Sequence, residues 1–413
     1  MKNYSMIPIL MLIPTLLFSA GLLEPDPVVM QGGQTSEELF THSVQQFSDK
    51  LFFEGDLADG NAMLSPLSVL LALGMTANGA EGTTLSSMLD VLVAKRGTLE
   101  QFNNANAAYL DSIKSLDDVE LSIANSLWLN KSVPFDREFL SRTKNTYHAS
   151  AEALDFSALS SLALINSWVN DATGGTITSI LDAIDPDALM YLINAVYFKG
   201  DWSSPFTKED TYEEDFHLNG NTIRVPFMHQ SAGLPYVEAM DAQMLMMPYS
   251  NERFALITIL PSESADLNSW LALQRDRGGF TQRMFTAIER MQMTRMELSL
   301  PKFEASYKDS LADELKQLGM VDPFDRGKAD FSRMTESGSK DLVIGEVLHK
   351  TFIRIDEKGS EAAAVTSVMI KVTSMPIRES LELSFDRPFF YAIIDREAGI
   401  PLFMGTMVDP ASE

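Results

Sequence analysis

The chain has 413 residues, 45% hydrophobic and 22% charged, with 32 Lys and Arg against 57 Asp and Glu for a formal net charge of −25, and it contains no cysteine. A chain of this length and apolar content can build a large core and is not intrinsically disordered. The charge repels phosphate backbones and anionic lipid, which excludes nucleic acid, membrane surfaces and heparin-like polyanions as partners, and the missing thiols exclude disulfides and make a structural zinc site improbable.

Residues 1–21 read as a secretory signal peptide: Lys2 precedes an apolar run over residues 6–18, and Ser19-Ala20-Gly21 is a small-residue cleavage patch. The run is too short for an anchor and is broken by Pro8 and Pro14. A secreted protein is expected, extracellular or periplasmic according to its source. Residues 22–34 form a polar lead. Thr35-Ser36-Glu37-Glu38 has the form of a capping box, with Phe40, Val44, Phe47 and Leu51 at helical spacing behind it. Asp56-Leu57-Ala58-Asp59-Gly60 begins like a calcium loop but lacks the remaining acidic ligands, so a solvated turn is expected. Ser65-Pro66 supplies a cap and a first-turn proline for the apolar residues 67–75, a buried helix whose end and following turn are marked by Gly74, Gly79 and Gly82. Asn130-Lys131-Ser132 fits the glycosylation pattern. Residues 161–181 read as a helix broken near Gly174-Gly175, and residues 188–197 as a strand buried on both faces. Residues 296–300 alternate, 310–318 are helical, and 389–394 and 401–408 are buried strands around a turn at 395–399. No repeat or linker divides the chain, so one α+β domain is expected over residues 35–413.

The residues propose no catalyst. His42, His148, His217, His229 and His349 show no metal-ligand spacing, and no nucleophile elbow, phosphate loop or dinucleotide fingerprint occurs. No cofactor or metal is expected, and the protein is not read as an enzyme. The 23 methionines can furnish an adaptable binding surface, although scattered core filling accounts for them. The most informative segment lies later. Thr351, Ile353 and Ile355 alternate with Phe352, Arg354 and Asp356, and Gly359 then offers a backbone pivot. In the run Ser360-Glu361-Ala362-Ala363-Ala364-Val365-Thr366, the residues Ser360, Ala362, Ala364 and Thr366 would share one face of any strand. All four are small enough to enter a packed interior, so the segment can stand outside as a loop or go inside as a strand.

In order and spacing these pieces resemble the serpins, which trap serine and sometimes cysteine proteases. Asn61-Ala62-Met63-Leu64-Ser65-Pro66-Leu67-Ser68 resembles the start of the family's helix B. Asn194-Ala195-Val196-Tyr197-Phe198-Lys199-Gly200-Asp201-Trp202 is similar to the third strand of its sheet A, and Leu300-Pro301-Lys302-Phe303 to the sixth. Residues 349–364 resemble strand five and the hinge, and Asp386-Arg387-Pro388-Phe389 with Leu402-Phe403-Met404-Gly405 the C-terminal signature. The resemblance implies three β-sheets, about nine helices and an exposed reactive loop over roughly residues 357–384. It implies a polar shutter at Ser65, Ser68, Asn194 and His349, and a breach at Trp202, Lys302 and Glu357 in which the last two pair under the indole. The hinge it implies comprises Glu357, Gly359, Ser360, Glu361, Ala362, Ala363, Ala364 and Thr366.

On this resemblance the protein is a monomeric, irreversible inhibitor of an extracellular serine protease, or of a cysteine protease. The target cleaves the loop, and the freed loop inserts into the sheet before the acyl-enzyme can be hydrolysed. A charge on the inward set would resist insertion, and none of those four residues is charged. Counting from Glu357 by the family's usual spacing gives the scissile bond Thr373-Ser374, which suits an elastase-like or subtilisin-like pocket. Cleavage after Val372 or Met375 remains open, and a trypsin-like enzyme would have to use Lys371 or Arg378. The alternative is a non-inhibitory member acting as a ligand carrier or chaperone. A secreted hydrolase has no motif in its favour.

Overall fold

The computed structural model describes residues 35–55, 60–114, 116, 118–218, 220–360 and 380–412. The expected signal peptide and polar lead, and the calcium-like residues 56–59, lie outside these. Helix α1 (Ser36–Glu54) buries Leu39, Phe40, Val44, Phe47 and Leu51 along one stripe, at the spacing read from the sequence. Strand β1 (Ala62–Leu64) leads into α2 (Pro66–Ala77), in which every residue is buried. Two expectations fail here. The Ser65 side chain makes no capping hydrogen bond to α2, and its backbone N–H donates to His349 Nε2, 3.0 Å away. Gly74 lies inside the helix and does not end it; a Cβ there would meet the Phe102 ring at 2.8 Å, so the small residue serves packing.

The chain continues through α3 (Gly82–Leu92), α4 (Leu99–Ser112), β2 (Val119–Asn130), α5 (Arg137–Tyr147), β3 (Ser150–Leu154) and α6 (Leu159–Ala172). Gly174 and Gly175 take φ of +59° and +88°, conformations that stop a helix. Helix does not resume beyond them as expected, because Asn166 Oδ1 takes the N–H groups of Ile180 and Leu181 at 2.9 and 3.0 Å. Then follow β4 (Met190–Asp201), β5 (Thr211–Leu218), β6 (Asn221–Ala239), β7 (Ala242–Pro248), β8 (Phe254–Pro261), α7 (Leu267–Arg277), α8 (Phe280–Ile288), β9 (Gln292–Pro301), β10 (Phe303–Ser310) and α9 (Ala312–Gln317). The last strands are β11 (Glu346–Ile355), β12 (Gly359–Ser360), β13 (Leu381–Ser384), β14 (Phe389–Asp395) and β15 (Ile400–Met407).

Six strands form one sheet in the order β10-β11-β12-β4-β2-β3, and nine form another. The architecture is α+β. Where the resemblance implied three sheets, the described residues form two because β6 joins what would be separate: residues 221–228 pair with β5, 227–236 with β9 and 236–239 with β7. The six-stranded sheet is covered on both faces. Leu192, Val196 and Phe198 of β4 join the large core with α1 and α2, while Tyr191, Ile193 and Ala195 join a second cluster with Ile165 and Val169 of α6. Double burial explains why β4 reads as a continuous apolar run.

Candidate functional site

The site is a seam between β4 and β11. These strands run parallel, with Glu346 opposite Tyr191 and so on to Phe352 opposite Tyr197. Above that point they part around β12. Ser360 is antiparallel to both neighbours, opposite Ile355 on one side and Gly200 on the other, and Gly359 is opposite Asp201. A two-residue strand thus occupies the top of a gap that is closed below it.

A tight turn delivers β12 from β11. Asp356 Oδ1 accepts from the N–H groups of Lys358 and Gly359 at 2.9 and 3.3 Å, while the Asp356 N–H donates to the Gly359 carbonyl at 3.0 Å. The Trp202 backbone N–H donates to Lys358 O at 2.7 Å, its indole Nε1–H to Asp356 O at 2.9 Å, and the Phe206 N–H to Glu357 O at 2.8 Å. Gly359 does not take the positive φ open to its type. Its missing side chain serves a close approach: a Cβ would lie 2.0 Å from the Gly200 carbonyl oxygen and 2.8 Å from Asp201 Cα.

Glu357, 8% exposed, is held at the mouth of the seam. Its Oε2 lies 2.8 Å from Lys302 Nζ and its Oε1 accepts from Thr211 Oγ1 at 3.0 Å. Burial pushes its carboxyl pKa up, but hydrogen bonds from Lys302, its own backbone N–H and Thr211, with the Lys302 charge, outweigh that and leave it below the ordinary value. Trp202 is buried and stacks on Tyr249, centroids 4.6 Å apart and planes 17° apart. Ser360 is fully buried with its Oγ 2.5 Å from the Tyr249 hydroxyl.

Lower in the seam a row of polar groups crosses three strands. His349 is opposite Asn194, and Asn194 opposite Asn125 of β2. The His349 imidazole is fully buried, and desolvation pulls its pKa down to about 3. The ring is therefore neutral. Nε2 accepts from the Ser65 N–H at 3.0 Å and Nδ1–H donates to Asn194 Oδ1 at 2.6 Å. Ser68 Oγ lies 2.7 Å from the same Oδ1 and 2.9 Å from the Ser65 carbonyl, while Asn194 Nδ2 donates to Asn125 Oδ1 at 2.6 Å. Thr351 Oγ1 donates to Met63 O at 2.9 Å, tying β11 to the segment before α2.

The four shutter residues named from the sequence therefore lie together, and Lys302 and Glu357 are paired beside Trp202. Sequence reasoning missed Asn125, Tyr249 and Thr211. None sits in a motif, and each reaches the site through a contact across the fold: Asn125 by strand register, Tyr249 by stacking on Trp202 and Thr211 by its hydroxyl. Glu361, Ala362, Ala363, Ala364 and Thr366, and the bond Thr373-Ser374 with its alternatives Val372 and Met375, lie outside the described residues; the chain is described again from Ser380, before β13 pairs with β9. Among the described residues no three or more of His, Asp and Glu group as a metal site, and no helix is long and apolar enough to cross a membrane.

A family model described as Serpin (serine protease inhibitor) matches residues 42–410. An uncharacterised serpin-like protein of Thermococcus kodakarensis is 34% identical over 390 residues, covering 92% of this chain and 88% of its own. A leukocyte elastase inhibitor of Xenopus laevis is 34% identical over 360 residues, covering 85% and 93%. The solved structure of the thermophilic serpin Tengpin in its native state superposes with a TM-score of 0.83 at 35% identity, covering 92% of this chain and 96% of that one. Tengpin in its latent state gives 0.76 at 34% identity, covering 92% and 99%.

Proposed function

The chain belongs to the serpin family, and we propose that it is an inhibitory member that traps its protease covalently by inserting its cleaved loop between β4 and β11. The observation that carries this reading is β12, a strand of the opposite sense already seated between two parallel neighbours. Continued in the same register, the strand would bring Ala362 opposite Ile353 and Phe198, Ala364 opposite Thr351 and Val196, and Thr366 opposite His349 and Asn194. Each of these neighbours is buried. The uncharged residues 360, 362, 364 and 366 would then face the core, and Glu361 the other side.

Each new ladder hydrogen bond contributes roughly 0.5 to 1.5 kcal/mol net, so a strand of about a dozen residues gains on the order of 10 kcal/mol. The uncleaved protein is accordingly stable by rate, not by global minimum. A protease joined to the loop as an acyl-enzyme is carried along, and distortion of its oxyanion hole and triad removes the stabilisation that deacylation needs. In this scheme Lys302, Glu357 and Trp202 hold the mouth of the seam, and Ser65, Ser68, Asn194 and His349 hold its middle. The greater likeness to native than to latent Tengpin, and the direct pairing of β4 with β11 below β12, support a seam that is still closed.

The target class we infer is elastase-like or subtilisin-like, cleaving at Thr373-Ser374; similarity to a leukocyte elastase inhibitor supports it. Residues 1–21 support export, with a single domain from residue 35. Incubation with pancreatic elastase tests the proposal. A band at the summed masses that survives SDS, and release of a peptide beginning at Ser374, are expected. Clean loop cleavage with fully active elastase would refute trapping and favour a carrier or chaperone.

A further inference from the structure

We propose that Tyr249 is a positioning residue for insertion: its buried hydroxyl receives Ser360 and thereby fixes which loop residues enter the core. The inference rests on the inhibitory reading above. It starts from a buried ring packed against aromatic neighbours on two sides. Tyr249 follows β7, bridges Trp202 in antiparallel fashion and is fully buried. Its ring stacks on Trp202 and meets Phe198 edge-on at 4.8 Å and 62°. The absence of a side chain at Gly200 makes room for it, since a Cβ there would stand 3.1 Å from the ring. Packed in this way, the ring sets the place of its hydroxyl oxygen, and Ser360 Oγ is 2.5 Å from it.

Among the described residues neither hydroxyl has another hydrogen-bond partner. One donates and the other accepts, and separating them would leave two buried oxygens unpaired. The pair also selects a register. A strand slipped by one residue turns its whole inward set outward. Slippage here would offer Tyr249 either Gly359, which has no side chain, or Glu361, whose carboxylate would have to be buried without a cation. Only residue 360 satisfies the tyrosine, so the first inserted side chain sets the alternation for all that follow.

Hydrogen–deuterium exchange over residues 355–360 tests this directly in the intact protein, comparing the wild type with Tyr249→Phe, Ser360→Ala and the double variant. Phenylalanine preserves the clamped ring, and Ser360→Ala leaves the core beneath untouched. Each single change should speed exchange of the Gly359–Ser360 amides by about tenfold or more, and the double variant should return toward the wild type because no buried hydroxyl is then left unpaired. Inhibitor consumed per elastase trapped should follow the same order. Wild-type exchange in both single variants, or a double variant no better than the worse single one, would overturn the proposal. A wild type that forms no SDS-stable complex, with the exchange pattern intact, would overturn the inhibitory reading alone.

Discussion

Acidification from pH 7.5 to pH 5 is expected to destabilise this protein chiefly through His349, the more deeply buried of two imidazoles, His42 being the other, whose pKa burial lowers. His349 has its pKa lowered by burial from 6.5 to about 3. Between those two values the unfolded chain binds a proton that the folded protein refuses, so the unfolded state carries more protons and stability falls as the pH falls. At pH 5 the loss is about 2 kcal/mol, from roughly 1.5 pH units at about 1.4 kcal/mol each. The geometry offers no relief. Protonated Nε2 would meet the Ser65 N–H, donor against donor, inside a closed sheet. His349→Gln can accept from Ser65 and donate to Asn194 but does not titrate. The variant should be weaker than the wild type at pH 7.5 yet lose much less on acidification, so that the two converge near pH 5. Urea unfolding of both proteins at the two pH values measures this. Equal losses in wild type and variant would refute the reasoning, because the pH dependence would then arise elsewhere.

Three further outcomes follow from the seam. Gly359→Ala would drive a methyl into the Gly200 carbonyl and should expel β12; elastase would then cut the loop at an unchanged rate with most of the protein consumed as substrate, read as the ratio of cleaved to complexed protein on SDS gels. Glu357→Lys would set two ammonium groups together at Lys302 and strand the Thr211 hydroxyl; loop-to-sheet polymers should form on mild heating, visible on native gels, because an opened seam offers unpaired strand edges to a neighbour. Ala362→Asp would require burial of a carboxylate between Ile353 and Phe198, a cost of several kcal/mol, and should leave first cleavage intact while abolishing the stable complex in the same assay.

Much of this fold is legible because local period and burial agree. Phe40, Val44, Phe47 and Leu51 mark the face of α1, and Thr351, Ile353 and Ile355 are buried while Arg354 is exposed. Failures occur where a distant partner decides. Ser65 looks like a helix cap, yet its side chain makes no capping bond and the tie it does make is from its backbone N–H to His349, far along the chain. Gly74 looks like a helix end until Phe102 requires its missing side chain. Residues 176–181 look helical until Thr173 takes the N–H of Ile177 and Asn166 those of Ile180 and Leu181. The shutter and breach residues were legible only through resemblance, since a lone buried Ser, Asn or His has no periodic signature. Asn125 and Tyr249 belong to no quoted motif, and only the register of β2 with β4 and the stacking on Trp202 bring them in.

One short element far from the gate has a consequence for shelf life. β13 pairs four residues, Leu381 to Ser384, with Met296 to Ser299 of β9 in the other sheet. While the loop is uncut, β12 is anchored in one sheet and β13 in the other, so the chain between them is pegged at both ends. Further entry into the seam then requires either a broken peptide bond or the release of that four-residue peg. Cleavage supplies the first in a single step, on demand. On the proposed mechanism the second would need no protease, and its rate would make β13 a clock: how often this small strand lets go would set the useful lifetime of a stored molecule, and strengthening its pairing with β9 would lengthen storage without touching the seam.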